Sequence, residues 1–291
     1  MIRYGSSPTS QDTQQKVATL IDALPYLHKF RGARFVIKVG GELVDGPGLV
    51  SFARDIVLLH SVGIFVTVVH GGGPQISRLM KQIGIEPEFR NGLRVTDQQT
   101  LEVTKMVLLG TVQTAIVSAI GAAGGRAVGL SGIDASLFKV HQTDESLGYV
   151  GTIDHVQVGP VEHLIGSGYI PVISSLGTDG NGAVFNVNAD TAAGELAAAL
   201  NAEKVVFLTN VPGIYEDFER KETLISEVDA GTLRSMYDRK IFSGGMAPKV
   251  EAVLHACKGK ATTVHVLDGR QPHVMLLELF TGQGVGTMVF P

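Results

Sequence analysis

The chain has 291 residues, 44% of them hydrophobic and 18% charged, which suits a folded protein with a substantial core and excludes an intrinsically disordered one. A formal net charge of −4 supplies no basic field, so neither nucleic acid nor a membrane is an expected partner. One cysteine, Cys257, permits no intrachain disulfide and, with a polar 1–15 segment lacking a signal-peptide core, points to a reducing, cytoplasmic setting.

The first patterned segment, Thr13–Phe30, carries Val17, Leu20, Ile21, Leu24 and Leu27 at helical spacing, with Pro25 a possible kink. This amphipathic helix precedes the first core strand, so its apolar stripe needs a surface to cover, on its own domain or on another subunit. Strands and helices then alternate. Arg34–Val39 is a strand running into Gly40-Gly41, and 49–62 a helix. Ile64–Val69 is a strand ending at His70-Gly71-Gly72-Gly73, and 74–83 a helix opened by proline. A long helix over 101–123 follows, then strands at 127–130, 170–174, 204–208 and 263–266. Helices at 161–167, 191–200 and 248–257 lie among them. Segments 138–158 and 214–225 read as hairpins or lids. No apolar run is of transmembrane length. The βαβα alternation implies an α/β three-layer sandwich, a mainly parallel central sheet with helices on both faces. No linker long enough to divide the chain is visible.

Chemistry concentrates at the strand ends, where ligands sit in open α/β sheets. Two glycine turns follow successive strands, and their N–H groups, backed by helix N-termini, suit an anion. No Walker A segment and no G-x-G-x-x-G occurs. Lys38 stands in an otherwise apolar strand, where its charge needs a partner such as phosphate, or a route to solvent at the strand end. Lys249 follows Ser243-Gly244-Gly245-Met246-Ala247-Pro248, near a helix start where it opposes the dipole; it is either functional or merely solvated. Asn186-Val187-Asn188-Ala189-Asp190 opens an Ala-rich helix. Asp190 is a plain N-cap there, or an anion that orients both lysines. Arg94, in a polar loop before the long helix, could fork onto a carboxylate, and Thr96 or Asp97 looks like that helix's cap. The histidines at 70, 141, 155 and 163 are scattered singly, and no metal-ligand cluster stands out. Phosphoryl transfer between two anions accounts for this inventory. It needs placed cations and N–H donors, while a carboxylate acceptor arrives already deprotonated.

Five ordered segments carry a resemblance: 36–41, 69–75, 91–97, 186–190 and 244–249. Over Phe35 to Met288 the chain resembles the amino-acid kinase superfamily, with its carbamate kinase-like fold, and within it the N-acetyl-L-glutamate kinases. The resemblance implies that Lys38 and Lys249 stabilise the transferring phosphoryl group and that Asp190 organises them. Gly40, Gly41 and Gly71 would donate N–H groups to the phosphoryl group. Gly72, Gly73, Arg94, Asn186 and Asn188 would hold N-acetyl-L-glutamate. Thr209, Asn210, Gly213, Ile214, Tyr215, Ile241 and Ser243 would line the ATP site, with Mg2+ accompanying ATP and no protein metal site. It further implies a 1–30 extension and a 31–291 kinase domain, with a substrate lobe over about 31–180 and a nucleotide lobe over about 181–291. The helix at 13–30 is similar to one that joins arginine-inhibited members into hexamers, trimers of dimers. His273, Glu278, Gly284 and Gly286 resemble their arginine site, so a homo-oligomer inhibited by arginine is expected.

Two positions depart from the family pattern. Asn210 stands where Thr-Asp-Val is usual, and can still hydrogen-bond a ribose or phosphate. Gly40-Gly41-Glu42 replaces the Gly-Gly-Asn common in arginine-sensitive bacterial members and leans, as does 190–196, towards fungal enzymes and acetylglutamate synthases. A non-catalytic arginine-sensing domain is the main alternative. It usually lacks the two phosphoryl-binding lysines, both present here, and there is no room for an acetyltransferase domain after Pro291.

Overall fold

The computed structural model describes residues 11–242, 246–257, 263–281 and 284–291. Helix α1 (Gln11–Phe30) passes through Pro25 without a break. Val17, Leu20, Ile21 and Leu24 on it are exposed, while Phe30 at its end is buried against Phe35 and Phe280. Strand β1 (Arg34–Val39) leads into a single turn α2 (Gly41–Val44) and helix α3 (Gly48–Ser61). Strand β2 (Phe65–His70) leads into α4 (Gly73–Gln82), with Pro74 in its first turn. A small hairpin, β3 (Phe89–Arg90) and β4 (Leu93–Arg94), precedes a helical run over 98–122. That run is α5 (Gln98–Lys105), a π-helical stretch (Met106–Val112) and α6 (Gln113–Ala122).

Next come β5 (Ala127–Ser131), the hairpin β6 (Phe138–Gln142) and β7 (Gly151–Val156), helix α7 (Gly159–Gly166), β8 (Ile170–Ser174), and the short β9 (Leu176–Thr178) and β10 (Val184–Asn186). Helix α8 (Ala189–Ala199) precedes β11 (Lys204–Thr209) and a hairpin of β12 (Ile214–Tyr215) and β13 (Leu224–Ile225). The chain continues through β14 (Glu227–Asp229), α9 (Ala230–Asp238), α10 (Met246–Ala256), β15 (Thr263–Asp268), α11 (Val274–Phe280) and β16 (Thr287–Phe290).

The main sheet has the order β14-β16-β15-β11-β1-β2-β8-β5. From β15 to β5 every pairing is parallel, and β16 runs antiparallel to β15. The sheet is thus continuous through β1 and β11, which join strands from the two halves of the chain. A second sheet, β10-β9-β6-β7, lies beside it. The mainly parallel expectation holds, and the antiparallel edge is an addition that a four-residue strand gave no pattern to anticipate.

Alternation along β1 sets the site. Phe35, Ile37 and Val39 enter the core with Ile56, Val66 and Val68 on one face; Val36 enters the other with Val69, Ala192 and Leu196. Lys38 shares the parity of Val36 and therefore faces α8. The 98–122 run is long and apolar enough by composition to cross a membrane, contrary to the expectation from sequence. Val103, Val107, Val112, Ile116 and Ile120 bury one stripe of it in the core, the position of a core helix.

His70 ends β2, fully buried, with Nδ1 3.2 Å from the Gly71 carbonyl and no partner at Nε2. Burial pushes its pKa down to about 4, so the native ring is neutral at pH 7. Unfolded, it titrates near its ordinary value of about 6.5. Its contribution to stability is complete above that value and is lost as the pH falls towards the folded pKa. Between pH 7 and pH 5, denaturant unfolding should show His70→Gln losing about 2 kcal/mol less stability than wild type. Equal losses would mean that the ring is not held neutral.

Candidate active site

The carboxyl ends of β1, β2 and β11 open into a cleft of about 340 Å³. Lys38 Nζ lies 2.7 Å from Asp190 Oδ1 at the start of α8. That oxygen makes no well-angled hydrogen bond, so the contact is chiefly ionic. Asp190 is free for this because it does not cap its helix. Asn188 does: its Oδ1 accepts from the N–H groups of Asp190 at 2.9 Å and Thr191 at 3.0 Å. Lys249, on α10, also lines the cleft. Burial pushes its pKa down, Asp190 opposes that, and the Lys38 charge adds to the fall. Asp190 thus acts on both lysines, holding one and favouring the charged form of the other.

Two backbone approaches shape the anion-binding wall. Gln75 Nε2 donates to the Gly41 carbonyl at 2.7 Å, tying the first glycine turn to α4 behind the second. A Cβ on residue 41 would collide with Gln75 Oε1 and crowd Pro74. At Gly72 a Cβ would meet Leu108 at 2.9 Å and Val112 at 3.1 Å, both from the π-helical stretch. Side chains at 41 and 72 would therefore push the turns away from the cleft. Widened helical turns of this kind often occur at functional sites, and here Leu108 reaches the cleft wall.

The β3–β4 hairpin supplies the opposite wall. Arg94 is buried; its Nη2 donates to the Gly73 carbonyl at 3.0 Å and Ser77 Oγ at 2.9 Å, and its guanidinium sits over Phe89. Burial pushes its pKa down, but a guanidinium stays charged at any physiological pH. Asn186 Nδ2 donates to Thr96 Oγ1 at 3.3 Å, and the cap of α5 is Asp97, which accepts from Thr100 N–H at 2.8 Å.

Most residues singled out in the sequence meet in this one cleft: Lys38, Gly40, Gly41, Gly71, Gly72, Gly73, Arg94, Asn186, Asn188, Asp190, Thr209, Asn210 and Lys249. Gly213, Ile214, Tyr215 and Ile241 are not among its lining residues. Ile214 and Tyr215 are buried in the core, and Gly213 packs against Thr287. Ser243 lies outside the described residues. Of the four residues expected to form an arginine site, Glu278 faces Gly284 and accepts from Val285 N–H at 2.8 Å, near Gly286. His273 instead binds Asp55 of α3, with Nδ1 and Oδ1 2.5 Å apart.

Sequence reasoning gave no site role to Gln75, Glu42 and Arg270 in or behind the cleft, or to His265 and Lys204 near Glu278. Glu42 and Arg270 lie within three residues of the ends of β1 and β15, a signal that could have found them. Gln75 and His265 look like ordinary helix and strand residues, and their partners are distant in sequence.

Residues 33–268 match the Amino acid kinase family. The acetylglutamate kinase of Trichodesmium erythraeum is 46% identical over 96% of this chain and 97% of its own length. That of Methanosphaera stadtmanae is 47% identical over 93% and 95%. Among solved structures, N-acetylglutamate synthase from Neisseria gonorrhoeae, complexed with coenzyme A and N-acetyl-glutamate, superposes with a TM-score of 0.84 and 28% identity. The match covers 94% of this chain but 63% of the synthase, so the chain spans less than two thirds of that protein's length. Carbamate kinase from Giardia lamblia, with a TM-score of 0.64 over 89% of this chain and 98% of its own, shares the fold at 17% identity.

The cap geometry makes a prediction that needs no substrate. Asn188→Ala should lower unfolding stability by about 1 kcal/mol, and Asn188→Ser should recover most of it. No loss in the alanine variant would mean that α8 does not depend on this cap.

Proposed function

We propose a function from one premise: the chain belongs to the amino acid kinase family and, within it, to the acetylglutamate kinases. It transfers the γ-phosphoryl group of ATP to the side-chain carboxylate of N-acetyl-L-glutamate, giving N-acetyl-L-glutamyl 5-phosphate and ADP in arginine biosynthesis. The observation that carries this reading is the meeting of Lys38, Lys249 and Asp190 with two glycine turns in one cleft.

A carboxylate oxygen of the acceptor attacks the γ-phosphorus, the bond to the β-phosphate oxygen breaks, and ADP leaves with that electron pair. No proton has to move, because the acceptor is ionised at neutral pH. Lys38 and Lys249 meet charge on the phosphoryl oxygens; Asp190 holds Lys38 and opposes the effect of burial on Lys249. Gly40, Gly41 and Gly71 offer N–H groups to the same oxygens, while Gly72, Gly73, Arg94, Asn186 and Asn188 hold the acceptor. Thr209 and Asn210 stand towards the nucleotide in this reading, with a substrate lobe over about 31–180 and a nucleotide lobe over about 181–291, to which Asn186 and Asn188 lend the acceptor side chains from across the boundary.

No cluster of three His, Cys, Asp or Glu side chains suited to a metal occurs among the described residues. Mg2+ would arrive with ATP, held mainly by phosphates and water, and would neutralise phosphate charge when bound. Glu42 and Asp190 are the carboxylates among the residues lining the cleft. A non-catalytic sensing role is the lesser reading, because both lysines stand in place.

Release of ADP from Mg-ATP with N-acetyl-L-glutamate, and with glutamate and aminoadipate as controls, tests the reading. Lys38→Ala should lower kcat by about 10²–10³. Absence of turnover with every acceptor in folded wild type would overturn it.

Feedback by arginine belongs to the same proposal. Glu278 is nearly enclosed and lies 2.7 Å from His265 Nδ1, whose Nε2 lies 2.7 Å from Lys204 Nζ. Burial works to raise the Glu278 pKa, but hydrogen bonds from His265 and Val285 outweigh it and keep the carboxylate charged, as a cationic effector requires. The exposed apolar stripe of α1 suits contact between subunits in a cytoplasmic hexamer, a trimer of dimers. Millimolar arginine should inhibit wild type, and Glu278→Gln should relieve it; full wild-type activity in arginine would remove this part of the proposal.

A further inference from the structure

His70 is fully buried at the end of β2, and the phosphoryl-transfer scheme gives it no part. Strand register decides where its ring stands. Val69 lies beside Lys38, and His70 beside Val39. The ring therefore shares the face of Val39 and Val68, away from α8. From that side it reaches the second glycine turn, with Nδ1 3.2 Å from the Gly71 carbonyl oxygen. A carbonyl only accepts, so Nδ1 carries the proton of the neutral ring and Nε2 is an acceptor. Gln113, at the start of α6, comes close enough to hydrogen-bond the ring. Its amide nitrogen donates to the Leu130 carbonyl at 3.0 Å and its oxygen accepts from the Leu130 N–H at 3.2 Å. The nitrogen keeps a second hydrogen to give, which suits a ring protonated at Nδ1.

The bond to Gly71 governs the peptide that follows. That peptide is trans, so the Gly71 carbonyl and the Gly72 N–H point in opposite directions across one plane. A ring on the far face that draws the carbonyl towards itself turns the N–H towards the α8 face, where Lys38 meets Asp190. Gly72 lines the cleft, and among the described residues its N–H has no protein acceptor. Leu108 and Val112 crowd its Cα, but apolar contacts do not set the rotation of a peptide between two glycines.

We infer that His70 is a positioning residue for the acceptor: its Nδ1–H holds the Gly71 carbonyl and so aims the Gly72 N–H at an oxygen of N-acetyl-L-glutamate. This rests on the reading that Gly72 holds the acceptor. The ring itself does not line the cleft.

The test is steady-state kinetics of the full chain, with N-acetyl-L-glutamate and Mg-ATP varied separately, beside nitrogen-15 NMR of histidine-labelled wild type at pH 7. The wild-type ring should be the Nδ1–H tautomer; the Nε2–H tautomer would overturn the inference without any variant. His70→Leu should raise the KM for N-acetyl-L-glutamate by about 10–100-fold, as for one lost hydrogen bond to a charged group, and leave the KM for ATP unchanged. His70→Asn, whose amide nitrogen takes the place of Nδ1, should recover most of that loss. His70→Gln, whose nitrogen falls nearer Nε2, should not. Equal effects on both KM values, or an asparagine variant no better than leucine, would mean that the ring only fills space. Wild type that turns over no acceptor would overturn the kinase reading instead, while the tautomer would still decide the hydrogen bond.

Discussion

The 2.7 Å contact between Lys38 and Asp190 is the constraint around which the site is arranged. A lysine on a central strand, flanked by fully buried Ile37 and Val39, is tolerable only if its charge is met. Meeting it requires α8 to begin directly over the end of β1. It also requires the helix's first N–H groups to be satisfied by another side chain, which Asn188 does. The same carboxylate acts on Lys249 from α10, so one aspartate fixes how three elements converge. Removing it would leave two cations close together with nothing between them.

Around this centre the protein recognises anions mostly with backbone. Two glycine turns supply N–H groups, and Gln75 locks them to each other through the Gly41 carbonyl. Side-chain charge is used sparingly: the cleft holds Lys38, Lys249, Arg94 and Arg270 against Glu42 and Asp190. That balance admits two polyanions while the protein as a whole stays mildly acidic. Arg94 reaches the cleft only because the β3–β4 hairpin folds it back over α4, where Gly73 and Ser77 hold its fork.

How much of this could be read in the sequence depends on the range of each interaction. The parallel sheet, the glycine turns and Lys38 were legible because periodicity and glycine clusters are local signals. The N-terminus of α8 was legible in place but not in role: Asn188 and Asp190 are both good cap residues, and only the position of Lys38 decides between them. Gln75 was invisible because nothing around residue 75 announces a bond to residue 41. The hairpin of β12 and β13 was recognised, but its burial, which keeps Ile214 and Tyr215 out of the cleft, depends on Thr287, whose hydroxyl accepts from Ile214 N–H. The antiparallel edge was missed because β14 and β16 are too short to show alternation.

That edge has a consequence for assembly of the chain. Strand β14 joins the sheet through β16, with Val228 opposite Val289, and β16 inserts between β14 and β15. During synthesis β14, α9, α10 and β15 all emerge before the strand that must lie between β14 and β15. In the β1–β2–β8–β5 half β8 likewise inserts between β2 and β5 after both have emerged, but over the shorter span from Ser131 to Ile170. The other half must wait to close a loop that spans 229–287, a slow and entropically costly step. Until then β14 is a waiting element and the β15 edge is open, so nascent chains are most exposed to wrong pairing at that margin.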